Sequence, residues 1–280
     1  PAVALLRRLV AEGRLGQIRH VRAVYLQDWI VDPQFPLVWR LRRESAGSGA
    51  LGDIGAHIVD LTQYVTGQLV TGVSALTETF VKRRPLPAES AGLAAVAAGS
   101  GPGDPGDPAR AGDGAGAATG EVTVDDAALF LARLSGGAVA SYEATRFATG
   151  RKNALRVEVN GSLGSAAFDL ERLNELEFYD ATRPGREQGF TRILVTEPDH
   201  PYLSAWWPPG HTIGYEHSFT HEIRDLIEAI ATGTDPRPSF ADALQVQTVL
   251  DAVERSAAAG SAWTSTTSVE PLARAGGPAH

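Results

Sequence analysis

The residues of this chain best placed by type and spacing to do chemistry lie between Gly49 and Tyr64. The run Gly49-Ala50-Leu51-Gly52-Asp53-Ile54-Gly55-Ala56-His57-Ile58-Val59-Asp60-Leu61 puts an aspartate four residues before a histidine. On a helix that spacing makes them neighbours one turn apart. Leu51, Ile54, Ile58, Leu61 and Val65 would share one apolar face, with Asp53, His57, Asp60 and Tyr64 in a second stripe about 100° round the axis. Gly52 and Gly55 each cost about 1 kcal/mol against alanine in a helix, so their presence predicts something close to the backbone. Three readings fit. Asp53 caps the helix and His57 is a hydrogen-bonded, partly buried histidine. Alternatively His57 is an acid/base group working with a carboxylate, since imidazole titrates near neutral pH. A shared metal ion is the third, and it needs a further ligand that the local sequence does not supply.

Other polar residues sit within reach of this segment along the chain. Trp39 and Arg40 come just before it, Trp39 reading equally well as core and Arg40 as a loop donor to a polyol or a carboxamide. Gln27, Asp28 and Trp29 end an expected strand. Arg146 and Lys152 flank a turn and also fit plain solvated charges. His211, His217 and His221 cluster near a helix start with Glu222 following, a spacing unlike the H-E-x-x-H of zinc proteases. Trp206-Trp207-Pro208-Pro209 is an aromatic loop suited to a lid or a subunit contact. Two stretches match G-x-G-x-x-G, at Gly47–Gly52 and Gly101–Gly106. Neither follows a buried strand inside a βαβ unit, so neither is expected to hold a dinucleotide.

These residues need a scaffold, and the pattern supplies one. Ala2–Leu15 predicts an amphipathic helix and Ile18–Trp29 a strand. Gly72–Lys82 is a second strand, and Glu121–Phe147 a hairpin turning at Ser135-Gly136-Gly137. Leu155, Val157 and Val159 alternate with charged residues, and Asn160-Gly161 predicts a type I′ turn into a strand at Ser165–Leu170. Leu176–Tyr179 and Arg192–Thr196 are further strands. Two helices close the chain. Phe219, Ile223, Leu226, Ile227 and Ile230 recur at helical spacing along the first, which stops at Gly233, and Ser239 caps the second. Residues 84–120 are rich in Gly, Pro and Ala, lack aromatics, and read as a disordered insertion. The expectation is one α+β domain over residues 1–270, built on a large, mostly antiparallel sheet with flanking helices, then a flexible tail at 271–280.

Composition narrows the function. The 280 residues carry 25 Lys and Arg against 33 Asp and Glu, a net charge of −8, which disfavours nucleic acid as a partner. With no cysteine there is neither a disulfide framework nor a thiol nucleophile. No apolar run is long enough to span a membrane.

The run Trp39-Arg40 followed by Gly47–Leu61 resembles the C-terminal domain of the Gfo/Idh/MocA oxidoreductases, relatives of glucose–fructose oxidoreductase and inositol dehydrogenase. Arg156–Ser165 and Pro238-Ser239-Phe240-Ala241-Asp242 are similar to the family's sheet hairpin and closing helix. The resemblance implies oxidation or reduction of a sugar, inositol or polyol hydroxyl with NAD or NADP, a base taking the hydroxyl proton as hydride leaves for nicotinamide. It places the catalytic pair on Asp53 and His57. It implies substrate contacts from Trp39, Arg40, Asp28, Arg146 and, through the loop Gly210–Glu216, His211 and Tyr215. It also implies a cytoplasmic homodimer or homotetramer formed through the sheet. The family's acid/base lysine lies in a Glu-Lys-Pro triplet that does not occur here, and no Rossmann half precedes the motif. The chain is therefore expected to be the substrate half of such an enzyme. The alternative is a truncated or stand-alone, non-catalytic sheet domain that binds a sugar or serves oligomerisation.

Overall fold

The computed structural model describes residues 1–87 and 118–266. Helix α1 (Ala2–Ala11) leads into β1 (Ile18–Leu26). A long loop then carries a short 3-10 turn at Trp39–Leu41 and helix α2 (Arg43–Ala46). One helical rod follows, opening as a π turn over Leu51–Gly55 and continuing as α3 (Ala56–Thr66). Strands β2 (Val70–Glu78), β3 (Arg83–Pro85) and β4 (Thr119–Glu121) come next. The hairpin β5 (Ala127–Leu134) and β6 (Val139–Thr145) precedes β7 (Ala154–Gly161) and β8 (Gly164–Asp169). Then come β9 (Glu175–Asp180), β10 (Thr191–Leu194), α4 (Glu216–Thr232), α5 (Phe240–Ala258) and the short β11 (Thr264–Ser265).

Nine strands form one sheet in the order β10-β9-β8-β7-β1-β6-β5-β2-β11. Strand β1 pairs parallel with β6 and antiparallel with β7. The expected antiparallel character holds for the other ladders of this sheet, so the sheet is mixed, with one parallel seam. A parallel neighbour requires a crossover, and the segment carrying α3 makes it. Alternation along a strand sets which side chains face the core and says nothing about the partner's direction.

The core lies between one sheet face and helices α1, α3 and α5. Ile58, Val59 and Val65 of α3 meet Val21, Ala23 and Val157 of the sheet, with Val249, Leu250 and Val253 of α5 alongside. Helix α5 begins as expected. Ser239 accepts from the Asp242 N–H while the Asp242 carboxylate accepts from the Ser239 N–H.

Two expectations are corrected. The Asn160-Gly161 pair is not the turn, because β7 runs through both and the chain reverses at Ser162-Leu163. A Cβ at Gly161 would overlap the Leu15 carbonyl, so close packing explains this glycine. The insertion does not begin at residue 84. Arg83–Pro85 pairs with Thr119–Glu121, and Arg84 is fully buried, donating to the backbone carbonyls of Ile30, Asp32 and Phe35. The rest of that insertion, the second glycine motif and the 271–280 tail lie outside the described residues. Helix α4 has the expected period, and its Phe219, Ile223, Leu226, Ile227 and Ile230 are exposed.

Candidate active site

The site is built where the π turn opens the helical rod. Asp125, on the loop leading into β5, organises that opening. Its carboxylate accepts from Gly49 N at 2.7 Å and Leu51 N at 2.8 Å, and its carbonyl accepts from Ala50 N at 3.0 Å. The first N–H groups of the rod, which have no partner within a helix, are thereby satisfied by an internal anion. Asp125 is therefore the cap, a role the spacing alone allowed Asp53. The same geometry tests the glycine motif at Gly47–Gly52. It follows the short helix α2 rather than a strand, and the N–H groups of Gly49, Ala50 and Leu51 are engaged by Asp125, so it offers no cradle for a dinucleotide's pyrophosphate.

Asp53 is freed for another purpose. Its Oδ2 lies 3.4 Å from Arg146 Nη1, and its Oδ1 lies 4.0 Å from Arg40 Nε. The Asp53 side chain is 32% exposed and that of Arg40 23%, whereas Arg146 is wholly enclosed. Burial draws the Arg146 guanidinium below its ordinary pKa, opposed by Asp53, Asp125 and Asp126. Arg40 lays its guanidinium 4.6 Å from the Trp39 ring centre, and Trp39 is 46% exposed rather than part of the core.

His57, one turn further on, is exposed and makes no side-chain hydrogen bond among the described residues. The core-histidine reading is thus set aside. Its ring stands 5.9 Å from that of Tyr25, at the end of β1. Tyr25 donates to Asn153 Oδ1 at 2.7 Å, Gln27 Nε2 donates to the same oxygen at 3.0 Å, and Trp29 Nε1 donates to Gln27 Oε1 at 2.9 Å. Because Asn153 Oδ1 accepts both bonds, its amide orientation is set by the network. The Tyr25 phenol is pushed up to about 12, chiefly by burial and then by the nearby charges of Tyr215 and Asp53. It is a neutral donor at physiological pH.

Tyr215 is accordingly brought near this cluster, and it is exposed. The other candidates are placed differently. Arg146 is fully buried and supports Asp53 from behind instead of meeting a ligand. Asp28 is bound up in its own turn, accepting from Lys152 Nζ at 2.8 Å and from Gly150 N at 2.9 Å. His211 holds the Pro208 carbonyl through Nδ1 and lies beside Trp207. Tyr25, Asn153 and Asp125 were missed. Tyr25 reads in sequence as one more inward residue of a strand, and Asp125 acts across 76 residues, which no local pattern reveals. Among the described residues no cluster of three His, Asp or Glu side chains is arranged to hold a metal.

Residues 3–167 match the model of the GFO/IDH/MocA C-terminal domain. The chain is 41% identical over 259 residues to levoglucosan dehydrogenase of Pseudarthrobacter phenanthrenivorans, a match covering 92% of this chain and 62% of that protein. An oxidoreductase domain protein from Kribbella flavida superposes with a TM-score of 0.84 at 57% identity, over 96% of this chain and 64% of that one. A levoglucosan dehydrogenase solved with NADH and levoglucosan superposes at 0.81 and 37% identity, with the same coverage. The chain spans less than two thirds of the length of these relatives. With the Asp53–His57 helix and the sheet that carries it matched together, the chain belongs to the Gfo/Idh/MocA family.

Proposed function

We propose that this chain forms the substrate-facing part of an NAD-dependent oxidoreductase acting on a sugar or polyol hydroxyl, with an anhydrosugar such as levoglucosan the first substrate to try. The observation that carries this reading is the cluster of exposed His57, partly exposed Asp53 and buried Tyr25. It combines a free imidazole, a carboxylate set between two guanidinium groups and a neutral phenol. Support comes from a 41% identical levoglucosan dehydrogenase and from relatives solved with NADH and sugars.

In this reading His57 takes or returns the proton of the reacting hydroxyl. Asp53 Oδ1 accepts a hydrogen bond from a neighbouring hydroxyl of the sugar, so the reacting hydroxyl is held with its own proton facing the imidazole. Trp39 offers an apolar face to the ring, and Arg40 and Tyr215 offer donors at the rim. Nicotinamide dinucleotide, when bound, supplies the hydride acceptor. No described residue here is given a part in holding its phosphates.

The partner reading is a second copy of the chain. The sheet face away from the helices exposes Leu76, Leu129, Leu131 and Val139, an apolar patch suited to association. No helix of the described residues is long and apolar enough to cross a membrane.

The test is NAD reduction by the NAD-binding form of the protein with levoglucosan, L-sorbose and inositol in parallel. Sugar-dependent reduction abolished by His57→Ala is the expected result. No reduction with any of the three sugars would overturn the reading.

A further inference from the structure

Arg84 and Arg146 are both fully enclosed, yet they are used differently. Arg84 donates to backbone carbonyls and holds a loop. Arg146 divides its fork. Nη2 donates to the Asp125 carbonyl at 3.1 Å, and Nη1 faces Asp53 Oδ2 at 3.4 Å. Asp125 is the residue that fixes the start of the helical rod bearing Asp53. One immobile guanidinium therefore ties the carboxylate to the cap of its own helix. Its flat face also lies 5.4 Å from the Trp29 ring centre, and Trp29 begins the hydrogen-bonded row that ends at Tyr25.

A buried cation persists only where anions compensate it, and Arg146 has Asp53, Asp125 and Asp126 around it. Arg40 differs in kind. It is partly exposed, its Nε stands 4.0 Å away, and its guanidinium lies over the Trp39 ring. The two oxygens of Asp53 are thus unequal, Oδ2 facing the enclosed Arg146 and Oδ1 the partly exposed Arg40.

We propose that Arg146 is a positioning residue for the reaction, holding Asp53 Oδ2 so that Oδ1 meets a substrate hydroxyl beside the reacting one. This rests on the sugar-oxidoreductase reading above. Arg146 touches neither substrate nor cofactor, and its effect on the reaction passes through Asp53.

The experiment is a double-mutant cycle of Arg146→Met and Asp53→Asn, with Arg146→Lys as a variant that keeps the buried charge. In the NAD-binding form assayed with levoglucosan, Arg146→Met lowers kcat/KM by about 10- to 100-fold when Asp53 is present and less than about 2-fold in the Asp53→Asn background, the range expected of directly coupled residues. Arg146→Lys recovers part of the loss. Equal losses in both backgrounds would overturn the proposal and leave Arg146 a purely structural residue. A second arm needs no turnover. The guanidinium 15N resonances of Arg146 are followed in the 280-residue chain, and Asp53→Asn shifts them. Unmoved resonances overturn the pairing, whatever the substrate proves to be. If the wild-type protein reduces no NAD with any sugar while the resonances do shift, the proposed function falls and the pairing stands.

Discussion

The carbonyl oxygen of Asp125 occupies the space that a Cβ at Gly49 would need. A methyl group there would overlap backbone and also press Arg146 Nη2, 2.9 Å away. Neither neighbour gives easily, since one is main chain and the other is enclosed. Gly49 is therefore required by space, at a position where its backbone is ordinary.

Gly49→Ala should accordingly destabilise the fold by about 1–3 kcal/mol, the range for overpacking a filled interior. Gly55→Ala is the control, because its added methyl would meet Ala144 and Leu51 at an ordinary 3.4 Å. Better helix propensity should leave that variant unchanged or stabilised by up to about 1 kcal/mol. Thermal unfolding of both decides the matter, and a wild-type Tm for Gly49→Ala would refute the steric argument.

His57 and Asp53 should separate chemistry from stability. His57 is exposed and unbonded, so His57→Ala should leave Tm unchanged while lowering kcat by about 10²-fold or more. Asp53→Asn should lower both. Removing one partner of a buried pair costs about 3–5 kcal/mol, and the one-third exposure of Asp53 brings the expectation down to about 1–2. A catalytically normal His57→Ala would remove histidine from the proton-transfer role.

Tyr25 makes a narrower case. Its phenol, raised to about 12 by burial and by neighbouring Tyr215 and Asp53, stays protonated through the working range. Tyr25→Phe should cut kcat/KM by about 10-fold through loss of its bond to Asn153, the scale of about one hydrogen bond. The pH profile between 6 and 10 should keep its shape. An alkaline limb that vanishes in the variant would instead make Tyr25 a titrating group.

How much of this was legible in the sequence differs from residue to residue. The helical spacing of Asp53 and His57 needs only 3.6-residue periodicity, and it holds despite the π turn at its start. The Ser239 cap with Asp242 is likewise a local signal. What eluded the pattern acts at a distance. Asp125 reaches Gly49 across 76 positions, and Arg146 reaches Asp53 across 93. Arg146 reads in sequence as a surface charge because nothing local shows the three aspartates that make its burial tolerable. The stripe on α4 shows the limit from the other side. Periodicity marks an apolar face and cannot say what covers it.

A histidine outside the site gives a pH prediction. Trp206 Nε1 donates to His221 Nε2 at 2.8 Å, and Tyr202 stacks on the same ring at 4.2 Å. Accepting that bond requires an unprotonated Nε2. Burial lowers the His221 pKa first, with the Pro1 amine, His217 and Arg224 adding to it against Asp225. The unfolded chain therefore binds the proton more readily than the folded one. Stability is full above the unfolded value of about 6.5, falls as pH drops through the window between the two values, and levels off below the folded one. Unfolding curves from pH 7.5 to 5 should show this slope in the wild type and a flatter one in His221→Gln. Identical slopes would exclude His221 as its source.

The exposed sheet face yields the last prediction. Leu76 on β2 stands directly across from Leu129 on β5, and Leu131 lies two residues along, flanked by Ser74 and Ser141. An exposed apolar row toward one edge of a nine-stranded sheet is unfavourable in water, and small polar neighbours leave room for side chains from a facing surface. If a second copy covers this row, Leu131→Glu places two like charges at the centre of a self-complementary contact. Light scattering at micromolar concentration should then report a halved mass, with the fold intact because residue 131 points away from the core. Ile227→Glu on α4 is the matched control, since it alters an equally exposed apolar residue on another face. Loss of association in Ile227→Glu but not in Leu131→Glu would move the interface to the helix, and a monomeric wild type would dismiss the sheet contact altogether.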